Sequence, residues 1–188
     1  MLNKKDFAEI GKEIKKLEEQ REVLIRKSRD ILSLSKQLIY SLHRNELKEA
    51  SVLADKANKE KKSLQKMGSF TDTNIDSAAF QEYAEAVTYY EFVKSKTIPS
   101  AKSLGISVED YLLGLCDLTG ELVRRAVASV IGKNFKEAEE IKSFVEELYG
   151  EFIKFDLRNG ELRKKADSIR WNLKKLEEVI YDYKLKSR

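Results

Sequence analysis

The sequence has little proline, glycine, cysteine or histidine, and each shortage excludes a class of protein. It contains 1 Pro, 8 Gly, 1 Cys and 1 His among 188 residues. A lone cysteine, Cys116, cannot form a disulfide framework. With His43 as its only histidine, the chain cannot form a Cys/His zinc cluster, and the same shortage argues against a Ser-His-Asp triad. Any catalysis must therefore rest on carboxylates, hydroxyls and basic groups.

Long apolar runs are also missing. No stretch approaches the roughly 20 apolar residues that a membrane-spanning helix needs, and the N-terminal residues have no apolar signal core. We therefore expect a soluble, cytoplasmic protein with no membrane partner. Lys and Arg number 36 against 32 Asp and Glu, giving a net charge of +4. This mildly basic balance raises the expectation of an anionic partner only slightly.

What the sequence does contain is helical periodicity. Hydrophobic residues make up 41% and charged residues 36% of the chain, which favours a single domain of long helices over residues 1–188. In the first helix, apolar residues recur at steps of three and four: Phe7, Ile10, Ile14, Leu17, Leu24, Ile31, Leu38 and Leu42. A helix of about 55 Å exceeds what a compact domain of this size requires, so part of it is expected to contact another subunit.

Capping and breaking residues divide the rest of the chain. Thr73 is the expected start of a third helix, Pro99 lies beyond its end, and Asn159-Gly160 marks a break before the last helix. Further helices are predicted over about 45–67, 73–96, 107–133, 134–155 and 162–183, with a loop over 68–74. The expected fold is an all-α, antiparallel bundle of six or seven helices.

Two pairs of acidic residues have the spacing of a metal site. Glu82 and Glu85 are three residues apart on the third helix, and Asp117 and Glu121 are four apart on the fourth. If these helices pack antiparallel, as a connection of about ten residues permits, the four carboxylates can converge. An all-oxygen ligand set suits Mg²⁺ or Mn²⁺.

Ordinary structural roles compete with this interpretation. Most glutamates lie on solvated helix faces, although Asp117 interrupts an apolar run in which an unpaired carboxylate would be costly. Arg124 and Arg125 follow Glu121 by three and four residues. They can form a structural salt bridge with the acids or hold a phosphate, and spacing alone favours the salt bridge.

Two segments resemble the catalytic segments of Trax. They are QEYAEAVTYYEF at 81–92 and DYLLGLCDLTGELVRRAVASV at 110–130, while residues 156–188 are similar to the translin C-terminal helix. The chain is therefore identified as a Trax-like member of the Trax/translin family, of prokaryotic or archaeal type. The first two helices match only in general character. Eukaryotic Trax has a longer insertion between the two segments and no cysteine at the position of Cys116.

The resemblance implies a curved helical subunit that assembles into a hollow homo-octamer. It implies a Mg²⁺- or Mn²⁺-dependent endoribonuclease whose metal ligands and catalytic acids are Glu82, Glu85, Asp117 and Glu121. Its partner is expected to be single-stranded RNA, with single-stranded DNA as a second candidate. Basic residues of the first helix and beside the acids are the candidate contacts to the strand: Arg21, Arg26, Lys27, Arg29, Arg124 and Arg125.

Other functions stay open at this point. A family member that binds single strands without cleaving them would use the acids only for structure, as eukaryotic translin suggests. A di-iron bundle needs Glu-x-x-His pairs, which a chain with one histidine lacks, and a coiled-coil scaffold does not explain Asp117. Tyr89 is expected to face nucleic-acid bases and Tyr90 the core. His43 is expected to cap the first helix, and Cys116 and Trp171 to pack inside.

Overall fold

A computed structural model describes residues 2–67, 75–158 and 160–186. These residues form helices and no strand, which confirms the predicted all-α class. No helix in this part of the chain is long and apolar enough to cross a membrane. The helices are α1 Lys4–His43, α2 Leu47–Gln65, α3 Ile75–Ser95, α4 Ala101–Leu104, α5 Val108–Ile131, α6 Phe135–Ile153 and α7 Glu161–Lys186.

Four of these helices run in the same direction. Contacts between α3 and α5 advance together along both helices, from Ser77 with Asp110 to Tyr89 with Arg125. The pairs α1–α3 and α5–α7 are parallel in the same way, because their contacts also advance together along both helices. In contrast, α2 runs back along α1, and α6 runs back along α5. The parallel pairs α1–α3, α3–α5 and α5–α7 all make extensive contacts, and so does the antiparallel pair α1–α2.

The expected antiparallel packing of the two acid-bearing helices is thus wrong, and the connection between them explains why. Residues 96–107 do not make a short turn; they return along the length of α3 and include the unpredicted helix α4. Leu104 of α4 packs with Ala79 and Tyr83, near the start of α3. A connection of this length can span the roughly 30 Å of α3, so α5 begins beside the beginning of α3.

The first helix divides into a covered half and an uncovered half. Leu24, Ile31, Leu38 and Leu42 are buried against α2 and α3, as the apolar seam predicts. The side chains of residues 4–23 are all exposed, and the seam there continues with large apolar groups. Their exposed fractions are 58% for Phe7, 47% for Ile10, 52% for Ile14 and 55% for Leu17.

The other predicted boundaries lie within a few residues of those observed. The predicted loop over 68–74, the expected cap at Thr73, and Asn159 of the predicted break lie outside the described residues. Ser107 and Asn134 cap α5 and α6 as expected, since their side chains accept hydrogen bonds from the backbone N–H groups of Asp110 and Glu137.

Candidate metal and nucleic-acid site

All four predicted carboxylates line one cavity, which we call the acidic cavity. Glu82 and Glu85 reach it from α3, and Asp117 and Glu121 from α5. Its volume is about 550 Å³, and its remaining lining residues are Lys36, Ile39 and Tyr40 of α1 and Arg124 of α5. The i,i+3 and i,i+4 spacings place each pair on one side of its helix, and parallel packing brings the two sides face to face.

A glycine sets the distance between the two acid-bearing helices. A Cβ atom at Gly114 would lie 2.7 Å from the Ala84 Cβ atom, 2.7 Å from the Gln81 carbonyl oxygen and 2.9 Å from the Glu85 backbone nitrogen. No side chain fits at such distances, so α5 can approach α3 this closely only with glycine here. Gly114 lies one turn before Asp117, at the level of Glu82 and Glu85.

Three of the four acids have a basic partner, two of them from α1 and one from α7. The Lys36 Nζ atom of α1 lies 4.0 Å from Glu82 Oε1, and the Lys165 Nζ atom of α7 donates to Asp117 Oδ2 at 2.6 Å. The His43 imidazole contacts Glu121 through Nε2. Residues remote in sequence therefore place ammonium groups beside Glu82 and Asp117 and an imidazole beside Glu121.

Glu85 is the exception. Its side chain is buried, with 8% exposure, and none of the ion pairs among residues 2–67, 75–158 and 160–186 includes it. Burial, together with the charges of Asp117, Glu82 and Glu121, raises the pKa of Glu85 to about 8. Near neutral pH this carboxyl group therefore holds a proton in the absence of a nearby divalent cation.

The neighbouring acids respond to their own surroundings. Burial raises the pKa of Glu82, and Lys36 partly opposes that rise. The hydrogen bond with His43 lowers the pKa of Glu121. Burial opposes the charged form of Lys165, but the hydrogen bond to Asp117 and the nearby carboxylates give a net rise of its pKa. The cavity thus combines one protonated acid with three that are charge-compensated to different degrees.

The chemistry of this set fits a hard divalent cation. Carboxylate oxygens are the ligands that Mg²⁺ and Mn²⁺ prefer, and a buried acid without a counter-charge is a group that a cation would stabilise. Across the described ranges, no three His, Cys, Asp or Glu side chains are arranged as they stand to hold a metal ion. For all four acids to bind one metal ion, the carboxylates now paired with Lys36, Lys165 and His43 must therefore rotate toward one another.

The predicted basic residues fall into different environments. Arg124 lines the acidic cavity with an exposed side chain, and its Nη1 atom lies 3.9 Å from Glu121 Oε2. Arg125 instead points toward α6, where it donates to Glu137 at 2.6 Å and to the Leu42 carbonyl oxygen at 3.2 Å. Arg125 therefore caps the C-terminal end of α1, which was the role expected of His43.

The four basic residues of α1 that were predicted to contact nucleic acid are not among the residues that line the acidic cavity. Arg21, Arg26 and Arg29 are exposed, and Lys27 pairs with Glu60 of α2 at 3.0 Å. Their contact with nucleic acid stays a prediction. The Lys27–Glu60 pair is only partly buried, so water still reaches the ammonium group.

Comparison with known proteins identifies the family. The profile of the Translin family matches residues 19–187, nearly the whole chain. The chain belongs to the Translin family. An uncharacterized protein of Methanocaldococcus jannaschii is 32% identical over 162 residues, which cover 82% of this chain and 72% of that protein. The resemblance in the two acid-bearing segments is thereby confirmed at the level of the family.

Members of both eukaryotic branches are similar to this Translin-family chain. The Schizosaccharomyces pombe translin-associated protein X homolog is 27% identical over 186 residues, covering 87% of this chain and 80% of its own. Gallus gallus translin is 38% identical over 81 residues, or 43% of this chain. That match spans only 35% of the chicken protein, about a third of its length.

Solved structures share the whole architecture. Apo-NeC3PO has a TM-score of 0.88 at 31% identity, and the match covers 96% of this chain and 97% of that one. The AfC3PO chain in the AfC3PO–duplex RNA complex has a TM-score of 0.86 at 23% identity, with the same coverage. The latter likeness shows the fold. Together they confirm that this Translin-family chain has the helical fold of these proteins.

Sequence reasoning missed or misplaced several residues. Lys36, Lys165 and the His43–Glu121 contact were not anticipated, because α1 and α7 reach the acids only through packing. Tyr89 is fully buried and cannot face bases, whereas Tyr90 is only half-buried, the reverse of the expectation. Cys116 is buried as predicted, but Trp171 is 65% exposed on α7.

Proposed function

We propose that this chain is a Mg²⁺- or Mn²⁺-dependent endoribonuclease that cleaves single-stranded RNA within an oligomeric shell. One observation carries the proposal: carboxylates from two helices line a single cavity in which Glu85 is buried without a cation of its own. Keeping such a carboxyl group buried lowers the stability of the fold, and groups of this kind are concentrated at functional sites. The Trax-like pattern of the same four acids supports the proposal.

Glu82, Glu85, Asp117 and Glu121 would hold the metal. When bound there, Mg²⁺ or Mn²⁺ supplies a polarised water and compensates negative charge on the phosphodiester. Lys36 of α1 and Arg124 of α5 both line the cavity, and their cations can bind the phosphates that flank the cleaved bond. A carboxylate not engaged by the metal can accept the proton of the attacking water.

The choice of RNA and of an assembly rests on the relatives and on α1. AfC3PO, a protein of the same fold, is known in complex with duplex RNA. The uncovered apolar stripe of α1, formed by Phe7, Ile10, Ile14 and Leu17, is the kind of surface that another subunit buries. We propose a homo-octamer in the cytoplasm. Single-stranded RNA is the proposed substrate, and duplex RNA and single-stranded DNA are the alternatives to test.

The test is a cleavage assay on labelled single- and double-stranded RNA and DNA, with Mg²⁺, Mn²⁺ or EDTA. The parent should shorten single-stranded RNA only with the metal. Glu82→Ala and Asp117→Ala should lower the rate by at least about a hundredfold, since each removes a proposed ligand. Glu91→Ala, a change on the same α3 helix outside the acidic cavity, is the matched control and should cut like the parent.

Light scattering measures the particle mass of each variant and so distinguishes a loss of assembly from a loss of catalysis. All three variants should form particles of the parent's mass, which we expect to be that of eight chains. Cleavage that persists in EDTA, or an Asp117→Ala protein that cuts at the parent's rate, contradicts the proposal.

A second candidate is a protein that binds RNA without cleaving it. The observation in its favour is that Lys36, Lys165 and His43 already compensate three of the four acids, so the cavity can exist without a metal. In that case single-stranded RNA would bind with equal affinity in EDTA and in Mg²⁺, and its length would not change. The same assay, combined with a binding titration, separates the two functions.

A further inference from the structure

His43 connects the acidic cavity to the interior of the helical bundle. It is the last residue of α1, and its side chain is only 9% exposed. One ring nitrogen, Nε2, contacts the Glu121 carboxylate, and the other, Nδ1, lies 3.3 Å from the hydroxyl oxygen of Tyr89. Both ring nitrogens of the only histidine in the chain are therefore in use.

The direction of these hydrogen bonds follows from the chemistry of the partners. A carboxylate only accepts, so the Nε2 atom must carry a proton and donate it to Glu121. In the neutral imidazole the Nδ1 atom is then an acceptor, and the Tyr89 hydroxyl donates to it. The result is an ordered chain of hydrogen bonds from Tyr89 through His43 to Glu121.

The far end of this chain is fixed by buried groups. Tyr89 is fully buried, and its hydroxyl also interacts with the Arg125 guanidinium. Arg125 is held in turn by Glu137 of α6 and by the Leu42 carbonyl oxygen, next to His43. Helices α1, α3, α5 and α6 thus all contribute to the position of one imidazole ring.

We propose that His43 is a positioning residue that fixes the orientation of the Glu121 carboxylate for divalent-cation binding, with Tyr89 selecting the ring nitrogen that carries the proton. The inference rests on the proposed function, because it takes Glu121 as a ligand. Outer hydrogen bonds of this kind orient ligating side chains, and their loss typically weakens metal binding by about 10- to 100-fold.

Binding of Mn²⁺, measured by electron paramagnetic resonance without nucleic acid, is the first test. His43→Ala should weaken binding about tenfold or more. His43→Gln should restore most of the affinity, because its side-chain amide nitrogen can donate from nearly the place of Nε2. A role limited to packing would not be rescued by glutamine, which has a different shape and no ring.

Tyr89→Phe removes one hydroxyl and leaves the ring buried. We expect a loss of Mn²⁺ affinity of about two- to fivefold, in the same direction as but smaller than that of His43→Ala, because the tyrosine acts through the histidine. Tyr83→Phe is the matched control. It lies on the same helix, is buried, and loses a hydroxyl that donates to Asn58 at 3.3 Å, on the side of α3 away from the acidic cavity.

Nuclear magnetic resonance of protein labelled with ¹⁵N-histidine gives a readout that needs no metal. The single histidine yields one pair of ring-nitrogen signals, which report the position of the proton. The parent should show a protonated Nε2 atom, and Tyr89→Phe should allow the proton to distribute between both nitrogens. A parent imidazole with an unprotonated Nε2 atom overturns the inference.

The outcomes distinguish this inference from the function on which it rests. If the parent binds Mn²⁺, Glu121→Ala does not, and His43→Ala binds like the parent, the positioning role is wrong while the proposed function stands. A folded parent that binds no Mn²⁺ overturns both. If His43→Ala fails to fold by circular dichroism, His43→Gln and Tyr89→Phe decide: the inference requires a near-parent affinity for the first and a weakened one for the second.

Discussion

Lys165 Nζ lies 2.6 Å from Asp117 Oδ2, so the last helix places an ammonium group directly on one of the four acids of the cavity. A lysine in this position and a divalent cation would use the same carboxylate. The two cations therefore compete, and the lysine also lowers the local affinity for any further positive charge.

Replacing Lys165 with methionine should strengthen Mn²⁺ binding. The change keeps an unbranched side chain of nearly the same length and removes its charge, and we expect a gain of about tenfold, or about 1.4 kcal/mol. Isothermal titration calorimetry at low salt measures it. Lys164→Met is the matched control, because Lys164 is exposed on the same turn of α7 and forms none of the contacts with the acids. Weaker binding by Lys165→Met would show that the lysine supports the site.

The protonated state of Glu85 makes stability depend on pH. Its pKa of about 8 lies above the ordinary value of 4.5, so between these values the folded chain holds a proton that the unfolded chain releases. The free energy of unfolding should therefore fall as pH rises through this range, with a contribution of up to about 1.4 kcal/mol per pH unit from this group. Glu85→Gln cannot ionise and should flatten the slope.

Denaturant unfolding in EDTA at pH 5, 6, 7 and 8 measures the effect of Glu85→Gln. The variant should gain most relative to the parent at pH 8 and little at pH 5. Glu91→Gln provides the control on the same helix and should retain the slope of the parent. Parallel slopes for the parent and Glu85→Gln would mean that Glu85 is ionised in the folded protein throughout.

Alanine at position 114 should separate the two pairs of acids. The added methyl group would overlap the Ala84 side chain and the backbone of α3, so α5 must move outward. We expect a loss of about 1–3 kcal/mol of stability, typical of overpacking, together with loss of Mn²⁺ binding. Gly120→Ala is the control: its methyl group would meet only the Asn172 amide at 3.9 Å, and alanine favours a helix. Thermal unfolding and Mn²⁺ titration of both variants test the prediction.

Adjacent arginines should have separate effects. Arg124→Ala should leave the melting temperature near that of the parent and weaken RNA binding, with the salt dependence reduced by about one phosphate contact. Arg125→Ala should cost about 1–3 kcal/mol of stability, because it removes the half-buried guanidinium that pairs with Glu137 and donates to the carbonyl group at the end of α1. Fluorescence anisotropy at several salt concentrations and denaturant unfolding distinguish them. Equal effects in both assays would contradict the assignment.

The helices and the pairing of the acids could be predicted because both depend on local spacing. Steps of three and four identify a helix face, and they also place Glu82 with Glu85 and Asp117 with Glu121. Capping residues Ser107 and Asn134 determine where α5 and α6 begin. The resemblance to Trax joined the two pairs into one site, and the structure shows both pairs on one cavity.

Features that depend on packing between distant segments could not be predicted in the same way. Spacing says nothing about whether α3 and α5 are parallel, because that depends on the path of residues 96–107. Neighbouring residues point about 100° apart on a helix, so the sequence could not tell which of Arg124 and Arg125, or of Tyr89 and Tyr90, faces the interior. Lys165 lies 48 residues from Asp117, and only the position of α7 brings them together.

The two ends of α1 lie in different surroundings, and one continuous helix joins them. At its beginning, Phe7 and its apolar neighbours are uncovered; at its end, about 54 Å from Phe7, His43 contacts Glu121. Between these ends, Leu24, Ile31, Leu38 and Leu42 anchor the helix against α2 and α3. A second subunit that covers the stripe would therefore attach to the same helix that carries the imidazole, which would give an assembly a direct covalent route to the acidic cavity.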